Sequence, residues 1–204
     1  VGSGQSRSGE RILTVGTDCA VGKMYTVLAL EREMRSRGLD ADFRATGQTG
    51  ILIAGSGVSV DAVVSDFVSG AVEWLCPANR ANHWDLIEGQ GTLFHPGYAA
   101  VTLGLLHGGQ PTGLVVCHQA GRREIHGVAG YATPTLRECA ERHLDAARLT
   151  SPGVECVGVS VNTSSMVREA RREYLEEIEE MLNVPAVDPL KTGVGAIVDG
   201  LEKR

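Results

Sequence analysis

Residues 12–26 read ILTVGTDCAVGKMYT: an apolar run, a glycine-framed turn, and Gly22-Lys23 at the start of an amphipathic stretch. That order builds a phosphate cradle. Backbone N–H groups at a helix N-terminus favour negative charge, and a lysine can reach the anion. Gly16, Thr17, Asp18, Cys19, Ala20, Val21, Gly22, Lys23 and Met24 are the residues such a loop places around its ligand. A nucleotide hydrolase usually carries Ser or Thr after the lysine to hold magnesium, and here that place is Met24. Thr26, two positions further on, points around the helix away from that place. Asp18, or Asp18 with Glu88, would have to supply carboxylates to any magnesium ion.

Other reactive side chains follow short apolar runs. Glu88 ends WDLIE and precedes Gly-Gln-Gly, where a carboxylate can hold a metal through water or act as a general base. His95 and His118 also lie beyond such runs, each either structural or catalytic. Arg122 and Arg123 give His118 an anion-binding neighbourhood, or form a solvated pair. Arg44 is a second cation aimed at the loop, able to hold a phosphate or substrate carboxylate, or a surface ion pair. Gln48, in the TGQTG loop, joins Arg44, His95 and Arg122 as a candidate for the substrate. Asn162 ends GVSVN and can read an adenine edge or cap the next turn. Cys19 is either a nucleophile activated by the helix N-terminus or a small residue that fits. Catalytic roles fall to Glu88, His118 and Asp18.

The elements that must position these residues alternate along the chain. Strands are predicted at 11–16, 42–45, 84–88, 113–117, 155–161 and 184–187. Helices are predicted at 23–37, 60–75, 98–107, 135–149, 166–182 and 196–202, the fifth capped by Ser164 or Ser165. TGQTG is read as a loop. Alternation of this kind predicts an α/β three-layer sandwich whose mostly parallel sheet is covered by helices on both faces. Asp18, TGQTG, Glu88, His118 and Asn162 then share the carboxyl edge, where open α/β sheets bind ligands.

The 204 residues suit one substantial core, and the net charge of -6 gives no support to nucleic-acid binding. No apolar run is long enough for a membrane span. Five scattered cysteines without a CxxC pair argue against a disulfide framework or structural zinc and fit a reducing cytoplasm. Residues 1–10 read as a flexible tail or linker remnant. REARREYLEEIEEML is a solvated face or the rim of a homo-oligomer.

VGTDCAVGK, IEGQG and GVSVN together resemble the dethiobiotin-synthetase-like branch of P-loop proteins. More closely, GTDCAVGKM, RATGQTG, VDAVVSDFVSGAVE, IEGQGTLFHPGY, TLGLLHG and VCHQAGR resemble a bacterial and archaeal P-loop family long named only as a domain of unknown function. Some of its members are D-glutamate (D-amino acid) N-acetyltransferases that use acetyl-CoA. The resemblance covers the chain from about Arg11 onward. It implies a P-loop NTPase-like domain over 11–204, and full members carry a further N-terminal Rossmann-like domain that this chain lacks. It also implies acetyl transfer from acetyl-CoA to a small-molecule substrate, with the adenine end of the ligand near Asn162. The more distant branch implies ATP with magnesium instead, or a nucleotide-binding module without catalysis.

Overall fold

Six parallel strands bring the residues singled out above to one edge of a sheet. The computed structural model describes residues 1–204. The chain runs β1 (Glu10–Gly16), α1 (Lys23–Ser36), β2 (Asp40–Arg44), α2 (Gln48–Ala54), α3 (Val68–Leu75), β3 (His83–Ile87), α4 (Ala99–Gly109), β4 (Gly113–Gln119), α5 (Leu136–Arg148), β5 (Glu155–Asn162), α6 (Arg168–Leu182), β6 (Ala186–Val187) and α7 (Gly195–Leu201). Strand order is β2-β3-β1-β4-β5-β6, with every pairing parallel. The chain steps from β1 out to β2, returns through β3, and then crosses β1 to reach β4. Such a reversal leaves a crevice beyond the carboxyl end of the central strand.

The central strands are buried on both faces, which is why β1 and β4 read as continuous apolar runs. Alternate residues divide between two cores. Leu13, Val15, Leu114 and Val116 pack on the side of α3 to α6, with Val72, Leu105, Cys139 and Ile178. Ile12, Leu86 and Val115 face α1 and α7, meeting Val27, Leu30, Ile197 and Val198. The three-layer sandwich is therefore the observed architecture. No helix is long and apolar enough to cross a membrane.

Three local expectations are corrected. TGQTG does not stay a loop, because α2 begins at Gln48 with Gly47 as its N-cap. The helix expected over 60–75 breaks into 3-10 turns at Val60–Ala62 and Ser65–Phe67 before α3 starts. Val63 and Val64 there are extended (ψ 134 and 135), a backbone that β-branched residues favour. Neither Ser164 nor Ser165 caps α6, whose N-cap is Val167 with no side-chain bond. Thr135 does cap α5, accepting from the Glu138 N–H.

Residues 1–10 are also more closely held than a flexible tail. Arg7 donates to the carbonyls of Glu73 and Cys76 in and after α3, and to the Gly108 carbonyl in α4. A cation over two helix C-termini satisfies orphan carbonyls and the helix dipoles together. Ser3 meets Glu73, and Glu10 already belongs to β1.

Candidate functional site

The glycine-framed turn becomes an anion cradle because two of its residues take left-handed backbone. Ala20 (φ 53) and Gly22 (φ 103) curl the chain between β1 and α1. Successive N–H groups in such a turn converge on a concave nest. The N–H groups of Gly22, Lys23, Met24 and Tyr25 have no acceptor in the protein, as expected of a helix's first turn. A Cβ added at Gly22 would meet nothing within 4 Å, so glycine is needed there for its positive φ and not for space.

Cys19, Ala20, Gly22, Lys23 and Met24 line a cavity of about 690 Å³. Gly47, Gln48 and Thr49 close a second side, and Glu88, Gly89, Gln90 and Gly91 a third. Lys23 is buried and donates from Nζ to the Asp18 carbonyl at 2.8 Å. Burial pulls its ammonium below the usual lysine range, and nearby thiols only partly oppose this. A neutral carbonyl is its hydrogen-bond partner, so its charge is left for a ligand.

Glu88, with 2 % of its surface exposed, is held by the start of α2. Its Oε2 accepts from the N–H groups of Thr46 (2.8 Å) and Gly47 (3.0 Å), and its carbonyl from Thr46 Oγ1 (2.6 Å). Burial raises its carboxyl above the usual range, with the Thr46, Gly47 and Gln90 bonds pulling the other way. Close approach here needs glycine. A Cβ at Gly50 would stand 2.2 Å from Glu88 Oε2, and one at Gly47 would stand 2.3 Å from Gln90 Nε2. The result is a carboxylate with raised proton affinity facing a cationic phosphate cradle across one cavity.

A family profile described as the DUF1611 (domain of unknown function, DUF1611_C) P-loop domain matches residues 1–198. The chain belongs to this family. It is 52% identical over 200 residues to a D-glutamate N-acetyltransferase of Pseudoalteromonas sp. It is 49% identical over 201 residues to one of Tritonibacter scottomollicae. Each match covers 98% of this chain and 60% of the relative, so the chain spans about three fifths of the length of these proteins. A crystal structure of a DUF1611 family protein from Anabaena variabilis superposes with a TM-score of 0.92 at 35% identity, covering 100% of this chain and 60% of that one. Cobyrinic acid a,c-diamide synthase from Mycobacterium smegmatis, with bound ADP and magnesium, shares the fold at TM-score 0.54 and 16% identity, over 94% of this chain and 92% of that one.

Several candidate residues in this P-loop domain stand elsewhere than their spacing suggested. Gly16, Thr17, Asp18 and Val21 lie beneath the cavity and not on its wall. Gly16 is there for packing, since its Cβ would sit 2.9 Å from the Cys117 carbonyl. Asp18 is wholly buried, and its carboxylate accepts from Cys19 N, Arg122 Nη1 and His126 N. Buried on these three donors and off the cavity wall, it does not meet Glu88 there, so the Asp18–Glu88 pair considered for magnesium is not assembled and Asp18 is not placed to act as a catalytic group. Arg122, spent on Asp18, is likewise withdrawn from substrate binding. Arg44 turns away from the loop, donating from Nε to the buried Asp85 at 2.6 Å. Asn162 caps a turn, its Oδ1 accepting from Ser164 N at 3.0 Å.

The histidines are corrected as well. His118 bonds Thr17 Oγ1 at 2.9 Å and does not reach the cavity. Burial first, and Arg122 second, lower its pKa to about 4, so it is a poor base at neutral pH. His95 accepts from Gly97 N and stacks on Tyr98 at 4.2 Å. Tyr98, not His95, lines the cavity. Cys19 does line it, but burial raises its thiol above the usual value, opposite to what a nucleophile needs. Gln90, Asp61 and Tyr98 are wall residues that sequence reasoning missed. Only Gln90 carried a signal, as the lone polar residue between glycines after Glu88.

The wholly buried His143 also has a pKa lowered to about 4, by burial. The unfolded chain binds these two protons near pH 6.5 and the native state does not, so stability falls as pH drops from 6.5 towards 4. Each histidine is expected to cost roughly 2 kcal/mol by pH 5 relative to neutral pH. Urea unfolding at pH 5 and pH 7.5 measures this, with His143→Gln and His118→Gln each flattening the profile.

Proposed function

We propose that this chain is the phosphate-binding part of an N-acetyltransferase acting on a D-amino acid, D-glutamate foremost, with acetyl-CoA as donor. The observation that carries this reading is the near-50% identity, along 98% of the chain, to two proteins named for that activity. Met24 agrees with it. A coenzyme A phosphate needs an anion cradle and does not react, so no magnesium hook is required beside Lys23.

The residues present fit such a phosphate: unpaired N–H groups from Gly22 to Tyr25, the buried Lys23 ammonium, and a cavity at the mouth. Acetyl-CoA, when bound, supplies an acetyl thioester, whose C–S bond breaks as a C–N bond to the amino acid forms. Glu88 is the carboxylate on the cavity wall whose proton affinity burial raises, and it takes the proton that the attacking amine must lose. Gln48, Thr49 and Gln90 are the uncharged donors and acceptors that orient the acceptor amino acid. Gly47, Gly89 and Gly91 let its backbone-sized groups approach closely.

Isothermal titration with acetyl-CoA and with ATP, each with magnesium and with EDTA, tests the reading. Acetyl-CoA is expected to bind equally in both buffers. Magnesium-dependent ATP binding without acetyl-CoA binding would overturn it in favour of an ATP-dependent transferase or a nucleotide-binding module.

A further inference from the structure

We propose that Asp18 and Arg122 are positioning residues, a buried clasp that holds the phosphate loop and Lys23 ready for an anion without a divalent cation. This rests on the reading that the loop takes a phosphate.

Asp18 works through both ends of its residue. Its main-chain carbonyl holds Lys23 Nζ at 2.8 Å. Its carboxylate, with no exposed surface, is gripped from three directions: Cys19 N at 2.6 Å, Arg122 Nη1 at 2.7 Å and His126 N at 2.8 Å. Arg122 adds a bond from Nη1 to the Cys19 carbonyl at 2.9 Å and one from Nη2 to Gln119 Oε1 at 2.5 Å. The guanidinium therefore spans the loop after β1 and the end of β4.

Its own segment is anchored. Thr133 bonds the carbonyls of both Arg122 and Arg123, Ile125 N donates to the Tyr131 carbonyl, and the Ile125 side chain is buried. A clasp hung from a loose segment could not hold the loop, and this one is not loose.

The physical consequence is pre-organisation. A turn with Ala20 in left-handed backbone is not what a free chain prefers. If the ligand had to order it, binding would lose that free energy. Here the ion pair orders the turn beforehand. Its two charges satisfy each other, and the charge of Lys23 stays free for the ligand.

The test titrates inorganic pyrophosphate and coenzyme A into the chain in EDTA buffer. Wild-type binding is expected to match that in magnesium. Arg122→Ala, checked as folded by circular dichroism, is expected to weaken both probes about tenfold or more. Added millimolar guanidinium is expected to restore much of that loss, which a general loss of structure would not allow. Wild-type affinity in folded Arg122→Ala, no guanidinium rescue, or loss of wild-type binding in EDTA would each overturn the clasp. Should Arg122→Ala not fold, Gln119→Ala removes one anchor and keeps the ion pair. A roughly threefold weakening is then expected, and unchanged affinity overturns the proposal. Lys23→Ala separates the two readings. If it leaves both probes bound as before, the phosphate reading of the loop itself fails. If it abolishes binding while Arg122→Ala behaves as wild type, only the clasp fails.

Discussion

Glu88→Gln is expected to lower the rate constant of the proposed acetyl transfer by about 10²- to 10⁴-fold, the range a general base contributes, with the fold intact. Glutamine keeps a carbonyl oxygen where Oε2 accepts from Thr46 N and Gly47 N, so the start of α2 stays tied to β3. What disappears is the proposed acceptor of the amine proton. Stability should move the other way. Burial raises the proton affinity of Glu88 in the native state, so folding loses stability as pH rises through its native pKa and the buried group ionises. Glutamine never ionises and is spared that cost. An assay for turnover of D-glutamate, the proposed acceptor, followed beside thermal unfolding at pH 7.5, separates the two effects. A variant that turns over normally, or that unfolds at a markedly lower temperature, removes Glu88 from the role of base.

Gly89→Ala is expected to be among the most destabilising single-methyl changes in the chain. An added Cβ would stand 1.6 Å from the Thr14 carbonyl oxygen and 2.8 Å from its carbon, both main-chain atoms of the central strand β1. They cannot swing aside as a side chain would. The same shift would stretch the bond from Gly89 N to Thr14 Oγ1, now 2.9 Å, and press on Lys23 Cδ. Overpacking of a rigid interior costs about 1–3 kcal/mol and sometimes more. Roughly 3 kcal/mol would lower the unfolding temperature of a chain this size by about 6–12 °C. Gly153→Ala is the control, since a Cβ there meets nothing within 4 Å. Equal melting temperatures for the two variants would show that β1 and the Glu88 loop are not in rigid contact.

Local patterns were legible wherever neighbouring residues decide the outcome. The strand–loop–helix unit around Lys23 was read almost to the residue, because an apolar run, paired glycines and a helical stripe are all properties of adjacent positions. The apolar side of α5 was legible for the same reason. The segment 60–75 was misread because valines at helical spacing also suit extended backbone, and packing chose between them. TGQTG was misread because glycines suggest a loop. Here they are small so that Glu88 and Gln90 can come close, as the Cβ distances at Gly47 and Gly50 show.

The sequence by itself determined the fold class, the strand–loop–helix turn of the P-loop and the carboxyl edge on which the candidate residues gather. These follow from alternation and from a parallel sheet placing every strand end on one side. Only the tertiary structure decided what each charged group does. Asp18 and Arg122 are 104 positions apart, and Arg44 and Asp85 are 41. Before the chain folds, each looks like a free ligand for metal or substrate. Once buried side by side they neutralise one another, because a charge removed from water must find a partner within reach. Lys23 and Glu88 line the cavity with no opposite charge in contact, which is why the proposed site rests on them.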